Sequence, residues 1–290
     1  MLKKLTDRVY YMDYVEKGDR PVLGLVCGDN YSVVIDSGNS YNHTMEFLKE
    51  VERLKLPKIK YLLITHWHWD HVFGISTMKK ITGCTVIANN LTNEKIKWMK
   101  TLKWDDNSID ERVKNGEEIE FCSENIKLEM PKERENIKLE SADIVFDKKI
   151  NIDLGESNCI VELIGGDHSK DSSIVYIPEE KVLFLGDSLY LDMYHGEWSY
   201  SREKLYPMME KINKYKSNYY IPSHHNMYSN KEIKEFFNYL KTVGDIVEES
   251  IDINICKDSF FNKLGREPKE EEINDMNSFV LGNIKNKKRV

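Results

Sequence analysis

The first ninety residues alternate between short apolar runs and helical apolar spacing. Ser32, Val33, Val34 and Ile35 form a run that ends in Asp36, Ser37 and Gly38, which predicts a strand followed by a turn. Phe47, Leu48, Val51 and Leu54 then recur on one face of a helix expected over residues 40–55. A second buried strand is predicted at 61–64, a helix at 71–80 and a third strand at 84–88. This alternation predicts an α/β chain in which helices cover a sheet. Residues 91–141 break the pattern. They are rich in Lys, Glu and Asn, and Trp98, Met99, Leu102 and Trp104 offer one helical apolar face, so the segment reads as a helical insertion within a single domain of residues 1–290. It holds a near repeat, residues 124–129 and 135–140, for which coincidence is the first reading and a hairpin the second. From residue 142 short runs dominate, at 144–146, 150–152, 160–164, 174–177, 182–185 and 219–221. The segment 229–290 reads as a helical tail, with apolar spacing over 230–250 and a Pro- and Glu-rich helix start before 268–285.

Composition narrows the class. Of 290 residues 40% are hydrophobic and 11% aromatic, enough for one substantial core, so disorder is excluded. The net charge of -7, with no dominant Lys/Arg cluster, disfavours a nucleic-acid partner. No run approaches the ~20 apolar residues of a membrane helix, and the N-terminal residues lack the apolar core of a signal peptide. The five cysteines, Cys27, Cys84, Cys122, Cys159 and Cys256, are scattered and odd in number, which suits reduced thiols in a cytoplasmic protein. No feature of the chain specifies an oligomeric state.

The chemistry concentrates in Thr65-His66-Trp67-His68-Trp69-Asp70-His71, directly after the strand at 61–64. Imidazole and carboxylate are the ligands of catalytic rather than structural zinc. In an extended loop, side chains two apart point the same way. His66 and His68 can therefore grip one ion, while Asp70 and His71 begin the next helix and can address a neighbouring one. Three later positions repeat one construction, an apolar strand, then small residues, then a ligand type: His168 after 160–164, Asp187 after 182–185 and His224 after 219–221. Ligand types at successive strand ends converge where α/β proteins commonly place their sites.

These motifs, from Val34 to His224, resemble those of the metallo-β-lactamase-fold superfamily of metallohydrolases. The likeness rests on Val34-Ile35-Asp36-Ser37-Gly38, the H-x-H-x-D-H loop, Gly166-Asp167-His168, Leu185-Gly186-Asp187 and Pro222-Ser223-His224. It implies an αββα sandwich with two divalent metal ions at one edge, zinc in the first instance, with iron or manganese possible. It further implies one site of His66, His68 and His168, a second of Asp70, His71 and His224, and Asp187 as the bridge. Asp36 would support the site without being a ligand. Two motifs depart from the family's pattern. Asp167-His168-Ser169-Lys170-Asp171 stands where many relatives have Gly-His-Thr-Pro-Gly, and Ser223-His224-His225 stands for Gly-His-Gly, which makes His225 a competitor for the register of His224. A bridging Asp187 points away from several antibiotic-destroying branches, and His68 away from the di-iron flavoprotein branch.

Such a centre implies hydrolysis by a hydroxide bridging two ions ~3.5–4 Å apart, with Asp70 also shuttling a proton to the leaving group. Trp67 and Trp69, which interleave with the ligands, and Tyr190, Tyr194, His195 and Trp198, with Trp98 or Trp104, form an aromatic set that suits a small, partly apolar substrate. Lys170 and Arg202 are the only cations beside the ligands in sequence. The expected activity is hydrolysis of a small ester, thioester, lactone or amide. The competing expectations are a phosphodiesterase or nuclease of the same superfamily, and a non-catalytic metal-binding sensor.

Overall fold

The computed structural model of the chain describes residues 1–132 and 134–287. A first sheet takes seven strands in chain order: β1 (Leu2–Lys4), β2 (Val9–Met12), β3 (Leu23–Cys27), β4 (Ser32–Ile35), β5 (Ile59–Ile64), β6 (Thr85–Asn89) and β7 (Ile144–Phe146). The pairs from β1 to β4 are antiparallel and those from β4 to β7 parallel. Parallel neighbours need crossover connections. These are α1 (Tyr41–Arg53), then α2 (Trp69–Val72) and α3 (Ile75–Thr82), then α4 (Asn90–Met99), α5 (Asp106–Lys114) and α6 (Glu120–Glu129). A second sheet holds β8 (Lys149–Asp153), β9 (Asn158–Leu163), β10 (Ser173–Ile177), β11 (Val182–Gly186), β12 (Tyr219–Pro222) and β13 (Tyr228–Ser229). Its one parallel pair, β11 with β12, is joined through α7 (Arg202–Asn213). The chain ends in α8 (Asn230–Val247), α9 (Ile253–Leu264) and α10 (Glu270–Lys287).

Adjacent residues of one strand feed different layers. Val33, Ile35 and Leu63 pack between the sheets against Val175 and Phe184. Val34, Leu62 and Ile64 point outward to Phe47, Ile75 and Ile96. On the far side, Ile174, Leu183 and Leu185 meet Leu205, Phe237 and Phe279. Each central strand is apolar on both faces, which is why these runs read as continuous rather than alternating. The result is the expected αββα sandwich. The terminal helices cover the second sheet, and Asn283 fastens α10 by donating to the carbonyls of Glu248 and Ser250, both at 2.8 Å. Among the described residues no helix is long and apolar enough to cross a membrane.

Two expectations need correction. The helix predicted over 71–80 is two helices, α2 and α3, divided at Gly74. A side chain at Gly74 would meet the carbonyl oxygen of Ser37 at 2.0 Å, so the chain between the helices passes directly against the turn after β4. The repeat does not form a hairpin. Residues 124–129 lie in α6, whereas 135–140 run through a short 3₁₀ turn (Arg134–Asn136) into irregular chain. Identical hexapeptides take different structures because their neighbours, not their own propensity, decide.

Candidate metal centre

Every ligand-type residue identified above lies just beyond a strand end at one edge of the sandwich. Asp36 follows β4; the loop 65–68 and α2 follow β5; His168 follows β9, Asp187 ends the β11 connection and His224 follows β12. The loop after β5 is tied on both sides. Asp36 accepts from the Thr65 amide at 2.8 Å and the Thr65 hydroxyl at 2.9 Å, and the Thr65 carbonyl accepts from the Ser173 amide at 2.9 Å. Asp36 itself sits at φ 61°, a strained conformation for a non-glycine residue, held by these bonds.

Two groups of donors result, in each of which the ligand atoms lie within 4.8 Å of one another: His66, His68, His168 and Asp187, and Asp70, His71, Asp187 and His224. In the first, His168 Nε2 is 2.8 Å from His68 Nδ1 and 3.3 Å from Asp187 Oδ2. His66 Nε2 is 3.7 Å from that same oxygen. In the second, Asp70 Oδ2 is 2.9 Å from His71 Nε2 and 3.1 Å from His224 Nε2. Asp187 reaches His71 at 3.4 Å and His224 at 3.5 Å, and so belongs to both groups.

The ring nitrogens facing away from the cluster are also held. Thr65 Oγ1 lies 3.2 Å from His66 Nδ1, Asp36 Oδ2 2.8 Å from His71 Nδ1, the Leu191 carbonyl 3.3 Å from His168 Nδ1 and Asp19 Oδ1 3.2 Å from His224 Nδ1. Such outer partners set tautomer and orientation in metal-binding histidines. Burial drives His66 and His68 well below the ordinary histidine range, helped by neighbouring imidazoles, so both are neutral. Burial also opposes charge on His71 and His224, but the carboxylates around them outweigh it and hold both rings well above that range. Burial would raise Asp70 and Asp187; the surrounding imidazoles lower them more, and both are ionised. His66 Nε2, His71 Nε2 and Asp187 Oδ1 are buried without a hydrogen-bond partner. Each such atom costs about 1–3 kcal/mol. Three of them converging among nitrogen and carboxylate donors fit divalent cations, which would supply the missing partner.

The aromatic set divides. Tyr190, Tyr194 and Trp198 line a cavity of about 380 Å³ that opens over His68, Asp70, His168 and His224. Trp67 does not line it. Its indole lies beside the first donor group, donating to Ser169 Oγ at 3.1 Å and packing edge-on against His68 and Trp98. Trp98 stands behind Trp67, and Trp104 is buried against Phe73. His195 is turned outward onto Asp192. His225 contacts the Tyr190 hydroxyl at 3.0 Å and joins neither donor group. Lys170 lines a separate surface cavity, and Arg202 pairs with Glu249 at 2.8 Å, so neither cation reaches the centre. Sequence reading missed Asp19, and it missed Ile119, Phe121, Cys122 and Met193 on the cavity wall.

The family model described as the metallo-beta-lactamase superfamily matches residues 23–224. No curated protein matches the chain. Among solved structures, the chain is similar to a metallo-beta-lactamase from Pontibacter korlensis at 20% identity and a TM-score of 0.54, over 82% of this chain and 97% of that one. It is similar to TMB-1 at 19% identity and a TM-score of 0.55, over 82% and 95%. It is also similar to DIM-1 metallo-beta-lactamase at 17% identity and a TM-score of 0.56, over 82% and 95%. At these identities the likeness is one of fold.

Proposed function

We propose that this chain, which belongs to the metallo-β-lactamase superfamily, is a dinuclear metal-dependent hydrolase of a small ester, thioester, lactone or amide. One observation carries the reading: two donor groups share Asp187, contain buried nitrogen and oxygen atoms without partners, and open onto a cavity. His66, His68 and His168 would hold one cation, Asp70, His71 and His224 the other, with Asp187 between them. Two divalent ions, zinc in the first instance, would supply water activation near neutral pH and polarisation of the scissile carbonyl.

The rest falls to the chain. Asp36 holds the Nδ1 side of His71, and Asp19 that of His224, so that each Nε2 is presented to the centre. Asp70 borders the cavity, so its carboxylate would accept a proton released at the centre and pass it to the leaving group. Tyr190, whose hydroxyl accepts from the His224 amide at 2.8 Å, and Tyr194 wall the space where the substrate would lie. Among the described residues the cavity lining contains no lysine or arginine, which disfavours a substrate that arrives with a phosphodiester charge. The five cysteines are free and buried, which suits a cytoplasmic setting.

The test compares an aryl ester and an aryl thioester with bis-(p-nitrophenyl) phosphate on the zinc-loaded protein. The carbonyl substrates should be cleaved about tenfold faster by kcat/KM, a transition-state preference of ~1.4 kcal/mol. Equal or reversed rates would move the protein to the phosphodiesterase reading, and absence of turnover on all of them with zinc bound would leave a metal-binding sensor.

A further inference from the structure

The cavity over the donor groups is polar at its floor and apolar along one wall. The floor carries Asp19, Asp70 and Asp187 with the imidazoles. The wall is built from two distant parts of the chain. Ile119, Phe121 and Cys122 come from the start of α6, and Met193 and Trp198 come from the loop between β11 and α7. Phe121 and Trp198 meet at the rim in an edge-to-face pair, ring centroids 6.0 Å apart and planes at 88°. They remain 38% and 47% exposed, so both present apolar surface to whatever enters. Deeper in, Cys122 Sγ and the Tyr194 hydroxyl lie 3.3 Å apart and join the two parts.

This wall is fixed rather than adaptable. At the other end of α6, Glu129 takes a two-pronged contact from Arg20, at 3.0 Å from Nε and 2.8 Å from Nη2, and a hydrogen bond from Ser40 Oγ at 2.6 Å. Its side chain is only 6% exposed. A planar two-pronged pair specifies direction as well as proximity. The helix is thereby clamped to the turn that carries Asp19 and to the cap of α1.

We infer that the substrate of this centre carries an uncharged apolar arm, of the length of a medium acyl chain, that lies along Ile119, Phe121, Cys122, Met193 and Trp198 while its carbonyl end sits at the floor. The inference rests on the hydrolase reading and narrows it. Burying an alkyl arm on such a wall is favourable in proportion to its area. A carboxylate on the same arm loses water along the apolar wall and meets no lysine or arginine there among the described residues.

Acyl hydroxamates test this without turnover, because the hydroxamate head occupies the metal end and the acyl chain probes the wall. Binding of acetohydroxamate, hexanohydroxamate and the adipic-acid monohydroxamate to the zinc-loaded protein is measured by calorimetry, with p-nitrophenyl acetate and hexanoate hydrolysis alongside. The hexanoyl compound should bind about tenfold or more tightly than the acetyl one, and the adipoyl compound should lose that gain. Combining Phe121→Ala with Trp198→Ala should shrink the hexanoyl-to-acetyl ratio to about threefold or less. Equal binding of the acetyl and hexanoyl compounds, an adipoyl compound as good as the hexanoyl one, or a ratio untouched by the double variant would overturn the inference. Chain-length dependence in binding with no ester turned over would overturn the hydrolase reading alone. A protein that takes up no zinc and binds none of the three overturns both.

Discussion

Asp19 Oδ1 lies 3.2 Å from Nδ1 of His224, across the sandwich edge from the N-terminal turn to the end of β12. The turn is itself held by Asn39, whose amide donates to the carbonyl of Gly18 at 2.7 Å. Burial pushes the Asp19 carboxyl up to about 6, with Asp70 and Asp187 adding to the effect and His224 opposing it. Asp19→Asn removes the negative charge of the acceptor that orients the imidazole while keeping its size. It should weaken one of the two metal ions by about tenfold or more, as outer-partner losses do, and leave the other near its original affinity. Competition with a chromophoric chelator reads both constants; unchanged binding of both would detach Asp19 from the centre.

Stoichiometry provides a second check. Protein purified without chelators and supplied with zinc should contain two ions per chain, one for each donor group. His224→Ala should bring this to one and abolish most turnover. His225→Ala should keep both ions, since that ring touches Tyr190 and neither group. If the two variants exchange behaviour, the ligand at the end of β12 has been assigned to the wrong residue.

His43 predicts an acid-sensitive stability. It is buried in the first turn of α1, and burial, with Arg20 nearby, depresses its ring to about 3. The unfolded chain binds this proton at about 6.5 and the folded chain does not. Stability from this group is therefore complete above about pH 6.5 and is lost as the pH falls towards 3, by about 3 kcal/mol between pH 6.5 and 4. His43→Gln, which cannot take up the proton, should flatten that limb of a denaturation-midpoint profile relative to the parent protein. Parallel profiles would refute the assignment.

Gly74 is a steric prediction. A methyl group there would meet the Ser37 carbonyl oxygen at 2.0 Å and Thr44 Oγ1 at 2.2 Å. Gly74→Ala should destabilise the fold by about 1–3 kcal/mol in urea titration, as overpacking does. It should also loosen metal binding, because Ser37 donates from its amide to the His71 carbonyl at 3.1 Å and from its hydroxyl at 2.7 Å. Full stability in the variant would mean that the turn yields without effect.

Much of the centre is legible in the sequence because its donors follow apolar strands, and strand ends in a layered α/β fold share one edge. His66, His68, Asp70 and His71 sit close in sequence, and His168, Asp187 and His224 each repeat the strand-then-ligand pattern. Trp67 stays beside the centre, packed on His68 and Tyr194, and it is outside the cavity lining for a reason of packing that its sequence position does not carry. Asp19 carries no such signal. It precedes the span that matches the family and reaches His224 through the turn between β2 and β3, where the Val22 amide donates to the Ser223 carbonyl at 2.8 Å. Strands β1 and β2 carry little signal as well, being short, with Lys3, Lys4, Tyr10 and Tyr11 interrupting the apolar pattern. The cavity wall was hidden for a related reason. Phe121 lies in a Lys- and Glu-rich stretch, and contacts distant in sequence, Glu129 with Arg20 and Cys122 with Tyr194, hold its helix beside the centre.

Asp187 belongs to both donor groups, and His224 completes the second one. Protein synthesis runs from the N-terminus, so the loop with His66, His68, Asp70 and His71 exists well before the other three donors. Any nascent chain that stops short of residue 224 offers a partial set, whichever ion it meets. Discrimination between metals with similar appetites for imidazole and carboxylate would thus wait until β12 is in place, when geometry rather than raw affinity can choose.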